Sequence, residues 1–319
     1  MQQRTLGRGG PTSSAVGYGA MGTSMHYPPA DVASRVQTIR RAVELGVTHI
    51  DTAELYGWGE SERMVGTAVE PFRDEVLLAT KFGFGRDGGF DSRPEHIRAV
   101  TEQSLRNLRT DHIDLLYQHR PDPNVPIEEV AGAVSELVDA GKVLGFGLCE
   151  VGPDTLRRAH AVHPLAVLQT EYSLFERTVE ELFAVLDELG IGLVAYSPLG
   201  RGFLTGTARP AASYDADDIR YQDPRWQPGN FEKNQAAVAR LTALAETKEA
   251  TVGQLALAWL LTRRANLVPI PGTRDLDRVR ENAAAASLTL DDDELALIDA
   301  ILPQAHGARY TADSLPTWT

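Results

Sequence analysis

Four side chains near the ends of apolar runs carry the chemistry of this chain. Asp51 and Tyr56 lie in Asp51-Thr-Ala-Glu-Leu-Tyr56, Lys81 closes Val76-Leu-Leu-Ala-Thr-Lys81, and His119 closes Ile113-Asp-Leu-Leu-Tyr-Gln-His119. A free phenol holds its proton with a pKa of about 10, whereas a general acid works best nearer the operating pH. An ammonium beside the phenol favours the phenolate and lowers that pKa. A buried ammonium needs a counter-charge, which Asp51 can supply, and an imidazole can hold and orient a carbonyl. The set can therefore deliver a proton to a carbonyl oxygen, provided that the phenol oxygen and the ammonium lie within hydrogen-bonding range of each other. Taken singly, each residue is more ordinarily structural: a helix-capping Asp, a packed Tyr, a solvated Lys, a His on a backbone carbonyl. Four complementary groups on strands two, three and four are harder to assign to coincidence.

The elements that must position them alternate. Short β-rich runs are read at Ala15–Ala20, Val47–Asp51, Val76–Lys81, Ile113–His119, Val143–Glu150, Ala166–Glu171, Gly192–Ser197 and Leu267–Gly272. Helical patterns fall between and after them, at Asp31–Leu45, Ser61–Val69, Pro94–Leu108, Ile127–Ala140, Asp154–Ala161, Thr178–Leu189, Phe231–Arg264 (two helices) and Leu276–Ala286. Nearly unbroken apolar strands suit a parallel sheet covered on both faces. Gly46, Gly141 and Gly190 stand between a helix and the next strand, where a left-handed cap is wanted. Eight such units in about 250 residues predict a (β/α)₈ barrel, whose parallel strand ends meet at one mouth. Around it the sequence predicts an N-terminal β-hairpin turning at Gly7–Pro11, a long loop after strand seven over Arg201–Asn230, and an extra C-terminal helix at Asp291–Leu302. The tail from His306 shows no periodicity. No linker divides the chain, so one domain spanning residues 1–319 is expected.

Composition narrows the function. The hydrophobic share of 43% and charged share of 24% are those of an ordinary globular protein. A net charge of −13 argues against nucleic acid and anionic membranes as partners. The single cysteine, Cys149, excludes an internal disulfide framework. With no signal-like start and no long apolar run, a cytoplasmic protein without membrane attachment is expected. Oligomeric state is not legible.

Two stretches match the dinucleotide fingerprint Gly-x-Gly-x-x-Gly, at Gly17–Gly22 and Gly83–Gly88. In that motif a helix opens on the glycines, and an acid follows about 20 residues on. Here Pro28-Pro29 intervene before the first helix, and Asp51 stands 29 residues past Gly22. Barrel loops that bring a ligand close to the backbone are the better reading. His160 and His163 have ligand-like spacing but no further ligands, so no metal site is read.

With these segments in hand, the sequence resembles the aldo-keto reductases from about Thr5 to Leu302. The resemblance rests on Asp51-Thr-Ala-Glu-Leu-Tyr-Gly57, Thr80-Lys-Phe-Gly83, Tyr117-Gln-His-Arg120, Gln169-Thr-Glu-Tyr-Ser173, Ala195-Tyr-Ser-Pro-Leu-Gly-Arg-Gly202, Ile270-Pro-Gly-Thr-Arg274 and Glu281-Asn282. It implies an NADPH-dependent reductase of small aldehydes and ketones, with Asp51, Tyr56, Lys81 and His119 as the catalytic four and Tyr56 as the acid. It implies cofactor contacts at Gly22 and Thr23, and for the carboxamide at Cys149, Glu150 and Gln169, with Asp51 nearby. Tyr196 would stack on the nicotinamide, and Ser197, Pro198, Leu199, Gly200, Arg201 and Gly202 would follow the pyrophosphate. Gly272, Thr273, Arg274, Arg278, Glu281 and Asn282 would hold the adenosine 2′-phosphate and adenine. Arg274 before a helix is also what elementary electrostatics would choose for a phosphate. Cys149 departs from the family's usual serine, and its thiol is a weaker hydrogen-bonding group.

By position, Tyr27, Trp58, Phe82, Arg120 and Trp226 face substrate, with Met25, His26 and Phe84 as further candidates. Arg120 could read an anionic substrate, although pairing with Asp122 is the more ordinary outcome. The alternative function is a nicotinamide-binding sensor or regulatory subunit with little turnover. The retention of all four groups, and the absence of a segment ahead of the barrel, weigh against it.

Overall fold

A computed structural model of the chain describes residues 1–23, 31–302 and 304–311. Strands β1 (Gln3–Thr5) and β2 (Thr12–Ser14) pair as an antiparallel hairpin. Eight strands then pair in parallel in sequence order: β3 (Tyr18–Gly19), β4 (His49–Asp51), β5 (Leu77–Phe82), β6 (Leu115–Gln118), β7 (Phe146–Cys149), β8 (Leu165–Glu171), β9 (Gly192–Tyr196) and β10 (Leu267–Pro269). The seam between β10 and β3 is closed by backbone hydrogen bonds, from Gly17 N–H to Pro269 O at 2.9 Å and from Gly19 N–H to Pro271 O at 3.3 Å. A Cβ on Gly17 would come within 2.9 Å of Ile270, and one on Gly19 within 2.7 Å of the Ile270 carbonyl oxygen. Gly17 and Gly19 of the first glycine motif thus pack at the seam.

Helices α1 (Val32–Glu44), α2 (Glu60–Val69), α3 (Pro94–Leu108), α4 (Ile127–Asp139), α5 (Pro153–Val162) and α6 (Phe183–Leu189) cover the outside. After β9 come a four-residue helix α7 (Ile219–Gln222), then α8 (Asn230–Glu246), α9 (Val252–Arg263), α10 (Leu276–Ala284) and α11 (Asp292–Ile301). Side chains cap several helix N-termini. Asp31 accepts from Ser34 N–H, Thr251 and Gln254 form a capping box, and Asp291 and Glu294 form another. Gly46, Gly141 and Gly190 have φ of +83°, +71° and +69°. The eight-stranded barrel, the hairpin and the terminal helix are as expected. The segment after strand seven differs in being folded into short helical turns at Gly200–Thr205, Ala211–Ser213 and Pro224–Trp226. Among the described residues no helix is long and apolar enough to cross a membrane.

Strand alternation divides the side chains into two cores. Leu77, Ala79, Leu115, Tyr117, Cys149, Val167, Val194 and Val268 fill the barrel interior with Leu6 of the hairpin, while the other parity packs against the helices. Gly147 makes room inside, since a Cβ there would lie 2.5 Å from the Tyr117 ring.

Candidate active site

On six of the strands the inward parity ends in a candidate site residue. His49 leads to Asp51, Leu77 and Ala79 to Lys81, Leu115 and Tyr117 to His119, Gly147 to Cys149, Val167 to Gln169, and Val194 to Tyr196. These six meet at the C-terminal mouth, and all but Lys81 line a cavity of about 1160 Å³. Tyr56, from the loop after β4, joins them on its wall. The same cavity continues past Ser197, Pro198, Leu199, Arg201 and Gly202 to Gly272, Thr273, Arg274, Arg278, Glu281 and Asn282, with Gly22 on its border.

Lys81 is 1% exposed beneath the cavity floor. Its ammonium pairs with one Asp51 carboxylate oxygen and donates to the Thr52 carbonyl at 2.7 Å. The other Asp51 oxygen accepts from Gln169 Nε2 at 2.8 Å. Burial works against the Lys81 charge, but Asp51 outweighs it with help from Tyr56, and the ammonium is held above its ordinary pKa. Lys81 Nζ lies 5.5 Å from the centroid of the Tyr56 ring. Its hydrogen bonds go to Asp51 and Thr52, and its positive charge acts on the phenol. Burial pushes the Tyr56 phenol up, Lys81 draws it down and Asp51 adds to the rise, with the result above the ordinary value. Tyr56 is therefore protonated at neutral pH, and the ammonium limits the rise without reversing it.

The His119 ring stands edge-on to Tyr56 at 5.8 Å and to Phe84 at 5.1 Å, which fixes its orientation. Burial, then Lys81 and Arg120, hold its pKa well below the usual imidazole range, so it is neutral. Its Nδ1 is buried without a partner among the described residues. Cys149 is buried, and its thiol is pushed up to about 12, first by desolvation. It is a neutral small wall residue and not a thiolate.

Several expected contacts lie elsewhere. Phe82 has the opposite parity to Lys81 and packs among the helices, fully buried. Trp226 is 1% exposed and stacks edge-on to Phe203 at 4.8 Å, pinning the segment after β9 to the core. Trp58 lines a separate cavity of about 680 Å³ with its ring under the Arg86 guanidinium at 5.3 Å. Glu150 follows Cys149 and so turns away from the barrel interior. Its carboxylate accepts from Thr170 Oγ1, from Glu171 N–H and twice from Arg309. Gly200 is buried, with a Cβ there 3.3 Å from the Phe175 ring, and does not line the cavity. Thr23 contributes its backbone to a short turn. Tyr27, with Met25 and His26, lies outside the described residues. Arg120 lines the cavity. Its alternative partner, Asp122, is occupied by the backbone N–H groups of Ser92 and Asn124, each at 2.9 Å.

Arg309 and Tyr310 at the mouth were not legible in the aperiodic tail. Arg309 spans Glu150 and Glu171, at 2.7 to 2.9 Å, and donates to the Tyr196 hydroxyl at 2.6 Å. The Tyr310 hydroxyl lies 3.2 Å from that of Tyr196. Arg201 turns its guanidinium to Asp223, leaving its left-handed backbone, φ +55°, on the cavity.

Residues 15–303 match the family model of the aldo/keto reductase family. The chain belongs to the aldo/keto reductase family. It is 39% identical to probable aldo-keto reductase 1 of Glycine max, over 97% of this chain and 92% of that one. Among solved structures it is similar to the glycerol dehydrogenase of Gluconobacter oxydans, with a TM-score of 0.88 and 31% identity over 98% of this chain and 99% of that one. It is similar also to an aldo-keto reductase of Bacillus halodurans solved in its holo form, with a TM-score of 0.80 and 26% identity over 98% and 99% of the two chains. As an aldo/keto reductase it is an oxidoreductase of carbonyl compounds, in a family that uses nicotinamide cofactors.

The residues present fit such a cofactor. The cavity is long, floored by small or left-handed residues, and no atom lies within 4 Å of a Cβ placed on Gly202. Its far end carries Arg274 and Arg278. The N-terminus of α10 is already capped by Asp275, which accepts from Asp277 and Arg278 N–H. A phosphate there would depend on the guanidinium groups more than on the helix amides. Among the described residues no group of His, Cys, Asp and Glu side chains could hold a metal ion.

Proposed function

We propose that this aldo/keto reductase is an NADPH-dependent enzyme that reduces aldehydes and ketones to alcohols, with Tyr56 as the general acid. The observation that carries the reading is the Asp51–Lys81 pair under Tyr56 on the wall shared with His119. When bound, NADPH would supply a hydride from nicotinamide C4. Gln169 and Cys149 would meet its carboxamide, Tyr196 its ring, and Arg274 and Arg278 its 2′-phosphate. Glu150 is not among the contacts proposed, because Arg309 holds it.

The chain's own residues do the rest. His119 is neutral, and a buried N–H with no acceptor is costly, so we assign its proton to Nε2. That nitrogen can donate to the carbonyl oxygen and turn it toward Tyr56. The phenol then gives its proton to the same oxygen. The ammonium stabilises the phenolate left behind, and Asp51 keeps the ammonium charged and in place. Gln169 fixes Asp51 from the other side.

Steady-state oxidation of NADPH and NADH with a panel of aldehydes tests the assignment and separates it from a sensor with little turnover. Within it, Arg274→Ala should weaken NADPH binding, followed by fluorescence titration, by at least ~10-fold more than NADH binding, the scale of a lost charge-assisted contact. Equal losses for the two cofactors would remove Arg274 from the 2′-phosphate site.

A further inference from the structure

We infer that the substrate is an oxo acid, a carbonyl compound bearing a carboxylate a few bonds from the reacting carbon, and that Arg120 reads the carboxylate. The inference rests on the reading of Tyr56 and His119 as the carbonyl site. Near the proposed carbonyl site, four cations are matched within the protein. Lys81 pairs with Asp51, Arg309 with Glu150 and Glu171, Arg201 with Asp223, and Arg225 with Glu176.

Arg120 is different. It lines the cavity next to His119, and among the described residues no carboxylate lies within 4.0 Å of its guanidinium. Asp122, its neighbour in sequence, is 6% exposed and committed to two backbone amides. A guanidinium has five N–H donors in a fork that matches a carboxylate. One of them reaches the His119 carbonyl at a long 3.4 Å, and the group lies against the Tyr196 phenol. Glu150 acts on it only from a distance, since Arg309 grips both Glu150 oxygens. A largely buried cation on a cavity wall without a contact ion is costly to keep unless a ligand supplies one. Because Arg120 and His119 line one cavity, the anion and the carbonyl would bind within it together. That suits a short chain between them.

The test compares an acid with its own ester, so that only the charge changes. We measure kcat/KM for 4-oxobutanoate and 5-oxopentanoate against their methyl esters, with NADPH, in wild type, Arg120→Met and Arg120→Lys. For at least one chain length the wild type should prefer the acid by about 10- to 100-fold, mainly in KM, as a desolvated charge-assisted hydrogen bond allows. The ratio should fall toward one in Arg120→Met and recover in part in Arg120→Lys. Equal rates for acid and ester in wild type, or an undiminished ratio in Arg120→Met, would overturn the inference while turnover of the esters left the carbonyl reductase reading standing. No turnover of acids, esters or simple neutral aldehydes would overturn both. If Arg120→Met does not fold, the wild-type ratio decides alone.

Discussion

The two ends of this barrel obey opposite rules. At the N-terminal end, the hairpin lowers Leu6 into the interior, where it is fully buried among Leu77, Leu115, Val167, Val194 and Val268. The gain there is removal of apolar surface from water, and any close-packed filling would serve. At the C-terminal mouth the same strands end in Asp51, Lys81, His119 and Gln169, ringed by buried arginines and carboxylates. Left-handed non-glycine residues gather there too, at Trp58, Glu150, Ser197 and Arg201. Such backbone costs on the order of 1 to 3 kcal/mol per residue and persists where the surroundings over-determine it. Apolar packing fills one end, and the proposed chemistry lies at the other.

The comparison can be broken most severely at Lys81. Lys81→Met should lose at least ~10²-fold in turnover and also destabilise the fold by about 3 to 5 kcal/mol, because it leaves Asp51 buried and unpaired. Adding Asp51→Asn should restore most of the stability and none of the turnover. Denaturant melts alongside NADPH oxidation would show this, and recovery of turnover in the double variant would mean that the pair is only structural. Leu6→Ala is the converse. It should cost about 2 to 5 kcal/mol in a chemical melt and leave kcat/KM unchanged below the transition. A matching loss of activity would erase the division between the two ends.

Glu54 sharpens the contrast further. It sits at the mouth with one oxygen accepting from Gly83 and Phe84 N–H, and burial raises its pKa to about 7. The raised value means that the folded state holds the proton more tightly than the unfolded chain. Its contribution to stability is present below the ordinary carboxylate value of 4.5 and is lost as pH rises through about 7. The loss is on the order of 3 kcal/mol. Glu54→Gln should remove that pH dependence and melt higher than wild type at pH 8. Equal slopes of melting temperature against pH in the two proteins would show that Glu54 titrates normally.

Most of this architecture is readable because short apolar runs alternate with helical patterns. Short apolar runs end on or beside Asp51, Lys81, His119, Gln169 and Tyr196, and helical runs separate them. Strand parity turns Phe82 and Glu150 away from the interior, a distinction that an unbroken apolar run does not display. Trp226 was beyond reach, since an aromatic ring in a loop reads alike whether it meets substrate or, as here, Phe203. Arg309 and Tyr310 were hidden for a different reason. Their partners Glu150, Glu171 and Tyr196 lie more than a hundred residues away, and an aperiodic tail gives no face to read.

The central claim is that the Tyr56 hydroxyl delivers the proton. It is tested most directly by Tyr56→Phe, with single-turnover reduction of an aldehyde followed beside a fluorescence titration of NADPH. The account predicts a loss of at least ~10²-fold in the reduction rate with cofactor affinity within about threefold of wild type, the context spread of such contacts. Reduction at the wild-type rate in that variant would contradict it.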